Sequence, residues 1–258
     1  MVKAIPDILA RIVARKRAEL DQARPHRAEL EKLAQSRRDF RDFRAALRAN
    51  PPAVIAEIKQ ASPSKGFLTA TFDPASIARE YAAGGAAALS VLTDRDFFHG
   101  SLADLQAARS AAPVPVLRKD FTINEFHVLE AAANGADAIL LIAAILDQRE
   151  MCRFRELAAE LGMAALIEVH EEADLAAALA SGAEIVGVNN RNLHTFEVTL
   201  DTSLRLLEKI PAGLVKVAES GIESREDVRR LAGYDAFLVG EHLMRSPDPA
   251  AALRALRS

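Results

Sequence analysis

The chain has 258 residues, 50% of them hydrophobic, and a formal net charge of −3. That length suits one barrel domain and buries a large core without covalent staples; the charge is too near neutral for a nucleic-acid-binding field. A single cysteine, Cys152, excludes an intrachain disulfide and fits a reducing compartment, no His/Cys cluster has zinc spacing, and no apolar run reaches the ~20 residues of a membrane span.

Residues 1–50 read as helical. Ile5, Ile8, Leu9, Ile12 and Val13 recur at helical spacing, and 27–49 continues in the same style with breaks near Pro25 and Arg37. The start lacks the continuous apolar core and cleavage site of a signal peptide, and Asp7, Glu19 and Asp21 argue against a transit peptide. RKRAEL around Arg15 reads as a solvated helix face. Pro51-Pro52 closes the helical region.

The period then changes. Short runs rich in β-branched residues predict strands at 54–59, 88–93, 114–119, 137–143, 164–169, 184–189, 214–219 and 236–240. Helices are predicted between them at 74–83, 101–111, 124–134, 147–161, 171–181, 201–209 and 224–232, with a last helix at 248–257. Nearly continuous apolar strands indicate a parallel sheet buried on both faces. Four phrases recur in degenerate form: GGAAALSV, NGADAILL, SGAEIVGV and GYDAFLVG. Each puts glycine at a helix end, where a left-handed cap fits, and then a strand. Repetition of one βα unit favours a closed (β/α)8 TIM barrel over an open doubly wound sheet of eight strands.

In such a barrel the C-terminal strand ends form the active face. Strand one ends in Glu57 and Lys59, two apart and therefore on one face. Lys119 ends strand three, Glu168 strand five, Asn189 strand six and Glu219 strand seven. Each alone reads more readily as a solvated rim residue or half of an ion pair than as a functional group. Converging on one mouth, they suit proton transfer. Ser220-Gly221 after strand seven and Gly240-Glu241 after strand eight, followed by a short helix in EHLMR, match the barrel phosphate site. Beside a dianion the Glu241 side chain is expected to turn away, leaving its backbone to act.

The loop 60–66, which carries Ser62, reads as a closing loop or a plain exposed one. Phe97 and Phe98 after strand two and Phe121 after strand three suit an aromatic floor or simple loop anchoring. Cys152 reads as inert core. His127, His170 and His194 have no partner at fixed spacing.

EIKQASPSKG (57–66), SVLTDRDFFHGS (90–101), LRKDF (117–121), LIEVH (166–170), GVNNRNL (187–193), VAESGI (217–222) and FLVGEHLM (237–244) resemble indole-3-glycerol-phosphate synthases over nearly the whole chain. The resemblance implies ring closure of 1-(2-carboxyphenylamino)-1-deoxyribulose 5-phosphate with loss of carbon dioxide and water. It implies no metal or organic cofactor. It also implies one domain over 1–258, with residues 1–50 covering the active face. The implied setting is a cytoplasmic monomer or weak oligomer whose partner is the phosphorylated substrate, without nucleic acid or membrane.

On matching positions, the resemblance makes Lys119 the general acid, Glu168 the acid/base residue and Lys59 its partner. Glu57, Asn189 and Glu219 orient them. Ser62, Ser220, Gly221, Gly240 and Glu241 contact the phosphate side, and Arg191 supports the network. Phe98, Phe121 and Leu193 form the aromatic pocket. Gln60 and His242 depart from the common pattern. The related isomerase would need a cysteine at the end of strand one, where Glu57 and Lys59 stand. A Schiff-base aldolase would use Lys119 covalently, and a non-catalytic barrel should have lost Lys119 or Glu168.

Overall fold

The glycines of the four recurring phrases punctuate the chain as their positions suggest. Gly85, Gly135, Gly182 and Gly233 have φ of 91°, 98°, 81° and 109°, a left-handed backbone that ends a helix and turns the chain into the next strand. The structure is a computed structural model and describes residues 7–63, 66–69, 71–192 and 195–257.

Eight strands follow in order: β1 Ala53–Ile58, β2 Ala88–Leu92, β3 Val116–Lys119, β4 Ala138–Ile142, β5 Ala164–Val169, β6 Ile185–Asn189, β7 Val215–Glu219 and β8 Ala236–Val239. They pair in parallel, each with its sequence neighbours, and β8 returns to β1 to close the barrel. These are the eight predicted strands, with ends shifted by at most two residues. Period-two alternation divides each strand between two cores. Ile55, Leu117, Leu140, Leu166, Ile185 and Val217 fill the interior. Val54, Leu89, Ile139, Ile167 and Val186 face the helical layer.

Two small elements were not predicted. Ala61–Ser62 pairs antiparallel with Gly66–Phe67 inside the loop after β1. Arg95–Phe98 forms a four-residue helix whose first turn is capped by the Asp94 carboxylate. Both are too short for hydrophobic periodicity to register.

The N-terminal segment comprises α1 Asp7–Ala23, α2 Arg27–Ser36 and α3 Phe43–Ala49, with a 3₁₀ turn at Arg24–His26 between the first two. The breaks fall where Pro25 and Arg37 suggest. Position 5 lies outside the described residues. The segment serves both ends of the barrel. Leu9 and Ile12 of α1 join the interior core, as do Phe43 and Leu47 of α3. Around α3, however, Arg41 donates to the carbonyls of Ala112 and Val114 at 2.7 and 2.6 Å, and Arg44 meets Glu184 at 2.9 Å. Those partners precede β3 and β6, so α3 plugs the N-terminal ends of the strands, opposite the active face.

Asp137, fully buried, fastens this segment. It pairs with Arg37 at 2.9 Å and Arg109 at 2.5 Å and accepts from the Arg41 and Val116 backbone N–H groups. Two side-chain readings change. Lys16, expected on a solvated face, is buried, and Cys152, expected in the core, is only half-buried on the helix Gln148–Glu160.

Candidate active site

Strand parity explains why the polar residues meet. Glu57 and Lys59 continue the phase of Ile55; Lys119 follows Leu117, Glu168 follows Leu166, and Glu219 follows Val217. All therefore turn into the barrel interior just past its apolar layers. They line a cavity of about 600 Å³ at the C-terminal strand ends. Asn189, Arg191, Ser62, Phe98 and Phe121 line it too, as do Ser220, Gly221, Gly240 and Glu241. Leu193 lies outside the described residues.

The charges form two linked groups. Lys59 Nζ lies 2.5 Å from Glu57 Oε1. Lys119 Nζ lies 3.0 Å from Glu168 Oε2 and 3.6 Å from Glu219 Oε2. Burial works to strip the Lys119 ammonium of its proton, but the carboxylates of Glu168, Glu219 and Glu57 outweigh burial and hold its pKa above the ordinary lysine range. Burial likewise opposes the charge on Glu168. Lys119, His170 and a hydrogen bond from Asn189 overcome it, so that carboxyl is held low. Glu219 goes the other way. Burial and the Glu168 and Glu57 charges push it up to about 8 against the pull of Lys119. Lys119 and Glu168 thus favour their charged forms, and Glu219 is biased towards its protonated form. One buried oxygen of Glu219, Oε1, has no hydrogen-bond partner among the described residues.

Two glycines make room for these carboxyls. A Cβ on Gly187 would stand 2.1 Å from Glu219 Oε1, and one on Gly240 would stand 2.4 Å from Glu57 Oε1. A side chain at either position would displace the carboxyl it faces.

The remaining contacts fall on two sides. Phe98 and Phe121 tilt towards each other with ring centroids 6.1 Å apart. Ser220 and Gly221 both adopt positive φ, 69° and 77°, in the turn after β7. The buried Asn190 steadies that turn, its amide donating to the Ser220 carbonyl at 3.1 Å. β7 lies four strands round the barrel from β3, so this turn faces the Phe121 side across the mouth. Gly240 precedes the short helix Glu241–Met244, where the Glu241 side chain meets Arg245 at 3.2 Å.

Some participants escaped sequence reasoning. His170, read as isolated, brings Nε2 within 3.6 Å of Glu168 Oε1; its position two residues past Glu168 put it on the same face. Ile8, Leu9 and Ile12 of α1 line the cavity as well. Lys16 pairs with Asp94 at 3.0 Å and with Asp120 at 2.9 Å. The signal for it was phase: Lys16 stands seven residues after Leu9, on the apolar stripe rather than off it. Among the described residues no group of His, Cys, Asp or Glu is arranged to hold a metal ion, and no helix is long and apolar enough to cross a membrane.

A closed parallel barrel with charged residues, an aromatic pair and a glycine turn at its C-terminal mouth defines a (β/α)8 enzyme of small anionic molecules. The fold alone is shared with 3-hexulose-6-phosphate synthase from Salmonella typhimurium, at TM-score 0.63 and 16% identity over 80% of this chain and 96% of that one. Thiamine phosphate pyrophosphorylase from Pyrococcus furiosus is similar at TM-score 0.60 and 18% identity, over 84% and 96% of the two chains.

Sequence similarity narrows the class. The family model described as indole-3-glycerol phosphate synthase matches residues 9–256. The indole-3-glycerol phosphate synthase of Albidiferax ferrireducens is 52% identical over 97% of this chain and 98% of the relative. That of Burkholderia vietnamiensis is 54% identical over 96% and 97%. The chain belongs to the indole-3-glycerol phosphate synthase family, carboxy-lyases of tryptophan biosynthesis that act on a phosphorylated small molecule.

Proposed function

We propose that Lys119 and Glu168 carry the proton transfers of ring closure on 1-(2-carboxyphenylamino)-1-deoxyribulose 5-phosphate. The observation that carries the reading is the buried pair itself: a lysine 3.0 Å from a glutamate, each favouring the charged form of the other, just past the apolar layers of the barrel. The ring carbon bearing the carboxylate attacks the ketone carbon. Lys119 gives its proton to the ketone oxygen, which becomes a hydroxyl. Carbon dioxide leaves and returns the bonding pair to the ring. Loss of that hydroxyl as water, with a proton from the adjacent methylene, completes the indole. Glu168 supports this dehydration as acid/base, with Lys59 as its partner.

Glu57, Asn189 and Glu219 orient the pair. Phe98, Phe121 and Leu193 hold the aromatic ring, which favours a near-attack geometry. Backbone N–H groups at Ser220, Gly221, Gly240 and Glu241, with Ser62, receive the phosphate, and Arg191 braces the mouth. Positive φ at 220 and 221 supports that assignment, since such turns direct successive N–H groups to one point. The chain is read as one domain over 1–258, with α1 as the cover of the mouth. The reading extends to a cytoplasmic monomer or weak oligomer, and a net charge of −3 supports the absence of nucleic-acid partners.

The test is turnover of the anilino-ribulose phosphate to a fluorescent indole product by wild type without added metal, alongside Lys119→Ala. Nearly complete loss in the variant is expected. Full activity in Lys119→Ala would remove the general-acid assignment.

A further inference from the structure

We propose that Lys16 is a positioning residue for the aromatic half of the substrate, acting as the cation that bridges Asp94 and Asp120 in the two loops carrying Phe98 and Phe121. This rests on the assignment of those phenylalanines to the ring pocket.

Lys16 sits on α1 and is 5% exposed. Its ammonium meets Asp94 Oδ2 at 3.0 Å and Asp120 Oδ1 at 2.9 Å. Each carboxylate in turn grips the backbone beside an aromatic residue. Asp94 accepts from the Phe97 N–H at 2.8 Å, capping the short helix that ends in Phe98. Asp120 accepts from the Phe121 N–H at 2.8 Å through the same oxygen that Lys16 holds, and it directly follows Lys119. One ammonium therefore bridges the two buried carboxylates that grip the backbone beside the two rings.

Thr93, beside Asp94, and Arg118 also tie the loops through Asp120, but neither of these contacts neutralises Asp94. Arg118 Nη2 and Thr93 Oγ1 contact the far oxygen of Asp120, at 3.0 and 2.6 Å, and Glu130 pairs with Arg118. Glu19 approaches Lys16 at 3.4 Å and adds only negative charge. Without Lys16, Asp94 and Asp120 repel across a space that solvent barely reaches, and the loops part or one carboxyl takes up a proton. The same side chain fastens α1, whose Ile8, Leu9 and Ile12 line the cavity. The turns after β7 and β8, on which the phosphate assignment rests, make no contact with this cluster among the ion pairs and hydrogen bonds of the described residues. Loss of Lys16 should therefore loosen the ring end of the site and leave the phosphate end intact.

The experiment compares the full-length wild type, Lys16→Met and Lys16→Arg. Three quantities are measured: KM and kcat for the anilino-ribulose phosphate, the inhibition constant of its non-reacting alcohol analogue, and that of inorganic phosphate. Lys16→Met should raise KM and the analogue constant roughly tenfold or more, lower kcat by less than about tenfold, and leave the phosphate constant within about twofold. Lys16→Arg, which keeps the cation, should recover most of the loss. Equal weakening of analogue and phosphate, or a fall in kcat with KM unchanged, would overturn the proposal. If Lys16→Met does not fold, Asp120→Asn cuts the pair from the other side and must give the same selective loss. A wild type that neither turns over nor binds the analogue would overturn the ring-pocket reading together with this proposal; a normal wild type with a uniform Lys16→Met defect would overturn this proposal alone.

Discussion

Replacing Lys119 with methionine keeps the length of the side chain and removes its charge, and the consequence should exceed the loss of one proton donor. Glu168 is almost wholly buried, and burial by itself would raise its pKa. The 3.0 Å contact with Lys119 is the largest influence holding it down. Without that cation Glu168 shifts upward and spends more time protonated at neutral pH, so the acid and the base fail together. A positioned proton-transfer group contributes about a hundredfold to ten-thousandfold. Two independent groups would multiply to about 10⁴–10⁸-fold, whereas groups that work as a unit show no such product. Lys119→Met, Glu168→Gln and the double variant should therefore lie within about tenfold of one another in kcat/KM, each far below wild type. The assay is indole fluorescence, with thermal unfolding of each variant as a check on folding. A double variant whose loss equals the product of the single losses would refute the coupling argument.

Two further outcomes concern stability. Glu219 is raised to about 8 in the folded protein, so the native state binds that proton more tightly than the unfolded chain does. This contribution is complete below the ordinary glutamate pKa and is lost as pH rises through 8. Glu219→Gln, which cannot ionise, should therefore gain in melting temperature relative to wild type between pH 6 and about 9; a difference that stays constant with pH would refute the raised value. At the other end of the barrel, Asp137→Ala leaves Arg37 and Arg109 without their shared buried partner and should cost about 3–5 kcal/mol in urea unfolding. A cost under about 1 kcal/mol would mean that water or Asp39 replaces it.

Most of the active mouth was legible because barrel geometry turns local sequence into position. Once eight strands are recognised, a charged residue at a strand's end in phase with its inward apolar residues must face the mouth, and Lys119, Glu168 and Glu219 all obey that rule. The glycines before the strands were legible for a similar reason, since a helix end needs the left-handed backbone that Gly85 or Gly135 supplies. Lys16 was not legible by composition. Its burial depends on Asp94 and Asp120, which come from loops about 80 and 100 residues later. His170 has no histidine or cysteine partner at a fixed spacing along the chain; its neighbour is Glu168, reached across one strand face.

What the sequence determined by itself was therefore everything with a short physical range: strand phase, helix ends, the turn after β7, and the residue types available for proton transfer. Only the tertiary structure decided which charges neutralise one another. It placed Lys119 between Glu168 and Glu219, biased Glu219 towards its protonated form, divided the N-terminal segment between the two ends of the barrel, and drew Lys16 into the site. Burial and Coulomb interaction act through space, and closure of the barrel brings together groups that no spacing along the chain relates.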